Sequence, residues 1–436
     1  MLLALPEVQA LRALTADGRL LFSTRIVRLF AYGFLSVVLV LYLAQLGLSE
    51  PQIGLLLTLI LAGDAIISLW ITSIADRIGR QRMLLVGAGL MVLAGLLFAL
   101  SRNLLVLTVA GIVGTISPSG LEVGPSAAVE QAALPQITPD RQRTAVFAWY
   151  NLVGSFATAL GALCGGMIAT ALQQRGFAPL ASYRAIVIGY ALLGGVLALL
   201  FRRLSPVVEA PAFQRDDPQT TTSVTARRWL GLDRSRMVVL KLAALFIVDA
   251  FAGGMVVQSL IAYWFAVRFG VAPALLGGIF FGANLFAGIS ALAAARVAAR
   301  FGLINTMVWT HMPSNVLLML VPLMPTLPLA ILVLLARFSI SQMDVPTRQS
   351  YTVAVVDPGE RAAATGVTTT ARTAASAAGP LLTGALLGAS WLSVPFFLAG
   401  GLKLVYDLAL YLSFRAIKPP EEQARPEDQA APGTTP

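Results

Sequence analysis

Residues 52–82 read QIGLLLTLILAGDAIISLWITSIADRIGRQR. Residues 52–72 are apolar or small, with one acid, Asp64, near the middle. Wound as a helix at about 1.5 Å per residue, this run matches the ~30 Å hydrocarbon layer of a bilayer. Backbone groups in lipid must satisfy one another, so a run this long and apolar reads as a membrane-spanning helix. The turn that follows carries Asp76, Arg77, Gly79 and Arg80, a charged exit from the membrane.

The same alternation repeats in both directions. Spans are expected near 26–46, 52–72, 83–100, 104–133, 144–172, 183–201, 242–267, 275–295, 303–324, 327–355, 362–388 and 393–414. Of the 436 residues, 57% are hydrophobic and 12% charged, about half the charge of a soluble domain. A barrel would need short alternating segments, which are not seen. Cys164 and His311 are the sole residues of their types, too few for a Cys/His metal site or a disulfide framework. None of the three lysines follows a glycine, so the phosphate-binding GxxxxGK[ST] loop and an ATP-driven motor are excluded, and no cofactor or metal is expected.

The +10 net charge is a matter of topology, not of nucleic acid. Of 31 basic residues, 23 fall at the termini or in breaks on their side; Arg102, Arg175, Arg184 and Arg268 fall on the other, and Arg337, Arg348, Arg372 and Lys403 inside spans. The positive-inside rule then makes both termini cytoplasmic, in the plasma (inner) membrane. Five regions are expected: a cytoplasmic N-terminal segment 1–25, a six-helix bundle 26–203, a linker 204–236, a second six-helix bundle 237–416, and a disordered tail 417–436 rich in Pro, Glu, Ala and Thr.

The halves repeat. Gly47, Gly54 and Gly79 pair with Gly270, Gly277 and Gly302 at an offset of 223. Arg143, Gly161 and Gly166 pair with Arg361, Gly379 and Gly384 at 218, and Glu122-Val-Gly-Pro125 pairs with Asp344-Val-Pro346 across one gap. Glycine is common here, but the matching acids favour duplication. Duplicated bundles with a midplane site between them mark secondary transporters.

These motifs resemble those of the major facilitator superfamily. TSIADRIGRQR (72–82) is similar to its loop G-x-L-a-D-R-x-G-R-[RK]-x at Asp76, Arg77, Gly79 and Arg80, with Thr72 and Gln81 departing. GALCGG (161–166) and GPLLTG (379–384) are similar to its antiporter motif G-P-x-x-G-G, with Ala162 in place of proline. The resemblance covers nearly the whole chain. It implies an all-α membrane protein of twelve helices in two pseudo-symmetric six-helix bundles around a central cavity lined by spans 1, 4, 7 and 10. It also implies that the 76–80 turn latches one side shut; a solvated turn that only fixes topology is the plain alternative.

A charge at mid-bilayer costs roughly 2.5–3.5 kcal/mol even on lenient scales, so buried charges need partners or water. In span 10, Arg337, Ser341, Asp344 and Arg348 share one helical face; in span 4, Ser119, Glu122, Ser126 and Glu130 do likewise. These stripes are expected to face substrate. Glu122 or Asp344 could carry a proton, and the arginines could hold an anionic group or keep the carboxylates ionised. Structural salt bridges are the competing reading. The helix packing implied by the resemblance would pair Asp64 with Arg372 at the bundle interface; Lys403 and Asp407, four residues apart in span 12, are expected to form a local structural pair. Asn151, Gln258 and Asn284 could hydrogen-bond a solute. Asp249 is expected to be a gate residue or merely hydrated, and His311 a packing residue. Pro118, Gly120, Pro125 and Pro346 should bend spans 4 and 10.

The expected activity is alternating-access transport of a small organic solute, not enzymatic, as proton-coupled export by a monomer in the lipid bilayer. Proton symport importing a sugar or organic anion is the alternative within the class. A membrane enzyme or a non-transporting sensor would belong to other classes.

Overall fold

The computed structural model describes residues 14–122, 124, 126–134, 143–209 and 232–417; of these, the side chains of residues 76, 128, 132, 143–145 and 148 lie outside the description. The expected N-terminal segment up to residue 13, most of the linker and the tail from 418 also lie outside the described residues.

Among the described residues the chain crosses the bundle twelve times. Span 1 is α1 (Ala16–Ser36) and α2 (Leu39–Gln45), span 2 is α3 (Glu50–Ile78), and span 3 is α4 (Arg80–Leu100). Span 4 is α5 (Leu104–Val113) and α6 (Ser126–Ala133), span 5 is α7 (Arg143–Gln174), and span 6 is α8 (Pro179–Phe201). The second half repeats the scheme. Span 7 is α9 (Arg236–Met255) and α10 (Gln258–Phe269), span 8 is α11 (Pro273–Phe301), and span 9 is α12 (Leu303–Leu320). Span 10 is α13 (Leu327–Ser341) and α14 (Asp344–Ala354), span 11 is α15 (Arg361–Gly388), and span 12 is α16 (Val394–Phe414).

Eight spans are long and apolar enough to cross a membrane unaided, and the bent α1–α2 pair is a ninth. Spans 4, 9 and 11 complete the twelve by position. Span 4 is broken, and spans 9 and 11 carry polar residues that face other helices, as with buried Ser314, Asn315 and Thr368. Outward faces instead expose Leu192, Leu199, Leu332 and Leu412, as a lipid-facing surface does.

The four broken spans are 1, 4, 7 and 10, which hold corresponding places in the two halves. Span 1 bends by 44° at its break. Span 4 does more than bend: it is non-helical from Gly114 to Glu122. The exposed carbonyls find donors on other spans. Tyr190 donates to Thr115 O (2.6 Å), Thr158 to Gly120 O (3.3 Å), and the Ser259 N–H to Pro118 O (3.1 Å). Irregular backbone at membrane depth is tolerated where protein satisfies it in this way. Ser119, Glu122, Ser126 and Glu130 therefore do not share one helical face, contrary to expectation.

The repeated glycines explain how the halves meet. A Cβ on Gly54 (span 2) would lie 2.7 Å from Gly384 Cα (span 11), and one on Gly166 (span 5) 3.0 Å from Gly277 Cα (span 8). Gly54 matches Gly277 and Gly166 matches Gly384 in the repeat, so one two-fold relation makes both crossings, and only a missing side chain lets the backbones approach. Gly79 and Gly302 end spans 2 and 8 at φ 118° and 87°, where other residues are strained.

Both crossings lie at the far end of the bundle, away from residues 14 and 417. The other described bonds between halves are there or at mid-depth. Tyr263 donates to Glu50 (3.0 Å), the Ala274 N–H to Thr170 (2.8 Å), and Gln258 to Ser36 (2.7 Å). The halves are pinned at the far end, and the space between them lies toward the near one.

Candidate functional site

Between the halves is a cavity of ≈ 650 Å³. Of the expected site residues, Glu122, Asn151, Gln258, Asn284, Arg337, Asp344, Arg348 and Arg372 line it, joined by Arg25, Asp249, His311 and Lys403. The polar stripe of span 10 survives its two-residue break: Arg337, Ser341, Asp344 and Arg348 all face the cavity.

The first half contributes a matched set of charges. Thr15 caps α1 by accepting from the Gly18 N–H (3.1 Å), so the helix starts ten residues earlier than the apolar run suggests. Arg25 and Arg28 consequently lie inside the bundle, although the charge tally counted both with the termini and the breaks on their side. Arg28 is 1% exposed. Its guanidinium grips Glu130 with two 2.7 Å bonds and gives Nε to Glu122 at 2.7 Å. Arg25 donates to Glu122 (2.6 Å) and to Asn151 (3.2 Å), and stacks over the Tyr150 ring at 4.0 Å. Thr24 (2.8 Å) and Tyr150 also donate to Glu130. Glu130, wholly buried, does not line the cavity, which corrects its expected contact with solute. Two cations face two anions, and Glu122, with 22% of its side chain exposed, is the member that reaches the cavity.

The second half is built around Asp249 on span 7, 2% exposed. It accepts from Lys403 (2.5 Å, span 12), Arg372 (2.8 Å, span 11) and Arg348 (3.5 Å, span 10). Arg348 also pairs with Asp344 at 2.6 Å, one turn back. His311 Nδ1 lies 2.8 Å from Asp407 and its Nε2 3.9 Å from Asp249, while Asn315 donates to Asp407 at 2.9 Å. Three expectations change here. Lys403 does not pair with Asp407, because its long stem reaches span 7 instead. Arg372 pairs with Asp249 and not with Asp64. His311 belongs to the cavity network and is more than packing. Gln258 and Asn284 are hydrogen-bonded to each other (3.1 Å) at the floor.

Asp64 is buried, yet its Oδ1 has no hydrogen-bond partner and no cation pairs with it among the described residues. A Cβ on Gly124, in the unwound part of span 4, would be 3.8 Å from Oδ1.

In the 76–80 turn, the side chain of Asp76 lies outside the described residues, and Arg77 is exposed. The Arg80 and Gln81 N–H groups donate to Glu209 at 2.6 and 3.2 Å, and the Arg80 guanidinium to Val208 O at 3.3 Å. These bonds stay within the first half.

Sequence reasoning missed Asp249 as a hub and Arg25 and Arg28 as buried ions. The Thr15-Ala-Asp17 capping signature could have revealed the two arginines by placing them nine and twelve residues inside a helix.

The family model described as Major Facilitator Superfamily matches residues 21–343 and, in a second alignment, 269–436. The chain is 30% identical over 423 residues to the uncharacterized membrane protein YJR124C of Saccharomyces cerevisiae, covering 92% of this chain and 94% of the yeast protein. It is 24% identical over 256 residues to the quinolone resistance protein NorA of Staphylococcus aureus, across 58% of this chain and 60% of NorA. Among solved structures, the nucleoside transporter NupG superposes with a TM-score of 0.70 at 14% identity, covering 92% of this chain and all of that one. A D-xylose-proton symporter superposes at 0.69 and 15% identity, covering 90% and 97%. At these identities the structural likeness is one of fold.

Proposed function

The chain belongs to the major facilitator superfamily, and from that premise we propose that it is a secondary active transporter exporting a small organic solute by proton-coupled alternating access. The observation that carries this reading is the mid-depth cavity, lined by both halves and holding charges from each. With both termini cytoplasmic, the near end is the cytoplasmic one, and the described conformation is open inward. Rocking about the glycine crossings would close that end and open the other. The likeness to a quinolone resistance protein supports export.

Glu122, Asp344, Arg348, Arg337, Asn151, Gln258 and Asn284 are assigned to solute and proton. Glu122 is the proposed proton carrier. It faces the cavity, and a proton on it would release Arg25 and part of Arg28 from their ion pairs, so protonation and the fit of span 1 against span 4 are linked. Asp64 is the second candidate carrier, favoured by its lack of a counter-ion among the described residues. Asp76, Arg77, Gly79 and Arg80 are assigned to the gate at the near end, and Asp64 and Arg372 no longer form one.

Reconstituted protein separates these roles. Glu122→Gln should abolish proton-driven accumulation in vesicles while counterflow of solute persists. If accumulation survives in Glu122→Gln and is lost in Asp64→Asn, the carrier is Asp64.

A further inference from the structure

The unused hydrogen-bonding capacity of the cavity wall is one-sided. Among the described lining residues, the buried side-chain atoms without partners are Arg25 Nε, Arg337 Nε and Ser341 Oγ. Two are N–H donors and the third is a hydroxyl. Arg25 is otherwise engaged through both terminal nitrogens. Arg337 is not. Every other cation in the wall has a carboxylate close by: Arg25 at 2.6 Å from Glu122, Arg348 at 2.6 Å from Asp344, and Arg372 and Lys403 at 2.8 and 2.5 Å from Asp249. Arg337 forms no ion pair among the described residues.

Its surroundings form a built site. Ser341 is one turn further along the same face of α13 and 5% exposed, and its hydroxyl has no protein partner. Arg337 is ten residues past Leu327, about 15 Å along the helix and thus near mid-depth. A guanidinium cannot shed its proton, and a charge in such a place is costly until an anion meets it.

We propose that the transported solute is an organic monocarboxylate. Its carboxylate is taken by the Arg337 guanidinium and the Ser341 hydroxyl, and its apolar body rests on Leu29, Leu61, Leu121, Val257 and Ile261, which line the same cavity. This rests on the transporter reading above and narrows it. One cation is left over, which suits one negative charge. A phosphate dianion would bring a second charge toward Glu122, Asp249 and Asp344, which share the wall. The cavity, at ≈ 650 Å³, is also far larger than an inorganic ion requires.

The test uses thermal unfolding of the purified full chain. The probes are three skeletons (phenyl, branched alkyl and pyranose), each as carboxylate, carboxamide, amine and phosphate monoester, with chloride alone as a further arm. In at least one skeleton the carboxylate should stabilise most, with half-saturation about tenfold or more below its amide. Arg337→Gln should lose that preference, Arg337→Lys should keep part of it, and Ser341→Ala should weaken it several-fold. The ranking of head groups in the unmodified protein needs no variant to fold. The assignment is overturned if no carboxylate stabilises, if chloride alone accounts for the effect, if another head group does as well in every skeleton, or if Arg337→Gln responds like the unmodified protein. Counterflow of the stabilising carboxylate in proteoliposomes then tests the parent reading. Arg337-dependent stabilisation without counterflow leaves the site standing and removes transport; counterflow of neutral solutes alone does the reverse.

Discussion

The two halves share a helix plan but not a charge plan. In the first half the cations stand on span 1 and the anions on and beside span 4, two against two, and Arg28 and Glu130 are sealed from the cavity. In the second half the signs are exchanged. The anion Asp249 stands on span 7, and Arg348, Arg372 and Lys403 converge on it from spans 10, 11 and 12. The first cluster balances its charges internally; Arg25 and Glu122 reach the cavity, while the buried pair Arg28–Glu130 braces span 1 against span 4. The second is open to the cavity and includes Arg337, which forms no ion pair among the described residues, so the proposed solute contact falls in this half. Duplication kept the backbone geometry while the side chains on matching spans diverged in sign.

The largest expected effect breaks the brace. Glu130→Gln leaves Arg28 buried with one partner fewer and should lower stability by ~3–5 kcal/mol, as removal of one member of a buried ion pair does. Adding Arg28→Gln should restore part of the loss, and a double-mutant cycle on melting measures it. If the double variant is worse than the sum of the singles, the pair is not a closed unit.

The next effect concerns what the halves do share. Gly54→Ala and Gly277→Ala each place a Cβ against backbone at a far-end crossing. Each should raise the energy of the closed far end by ~1–3 kcal/mol, a roughly 5- to 150-fold shift toward the opposite conformation. Distances between spin labels across the far end report the shift. A response from one glycine without the other would refute the shared two-fold geometry.

A smaller effect lies at the membrane surface. Burial tends to raise the Glu360 carboxyl, but N–H bonds from Ser235, Asp233 and Arg234 outweigh it and hold the group below its ordinary range. Its contribution is therefore complete above the ordinary carboxylate range, near pH ~4.3, and is lost as pH falls through its lowered value. Melting of Glu360→Gln should fall below that of the unmodified protein equally at pH 7 and 5, and the gap should close in stronger acid. A gap that closes between pH 7 and 5 would mean that the carboxyl is not held low.

The fold was legible because membrane helices advertise themselves locally. Most spans are long apolar runs, and the matched glycines Gly54/Gly277 and Gly166/Gly384 turn out to lie where the backbones of the halves come closest. The polar stripe of span 10 was legible for the same reason, since its residues are one helix turn apart. What was hidden is long-range. Nothing within span 7 announces that Asp249 will gather three cations from other spans. The glycines and prolines of span 4 announce a bend, but its full unwinding depends on donors at Tyr190, Thr158 and Ser259. The Lys403–Asp407 expectation failed because proximity along one helix was weighed above the reach of a lysine stem.

The central claim is that the second half holds one cation that forms no ion pair among the described residues. Melting of Arg337→Gln against Arg348→Gln, without ligand, tests it most directly. The account predicts that Arg348→Gln, which strips a partner from both Asp344 and Asp249, loses ~3–5 kcal/mol, whereas Arg337→Gln loses nothing. An equal loss in the two variants would mean that Arg337 has a counter-ion within the protein, and the contrast between the halves would fall.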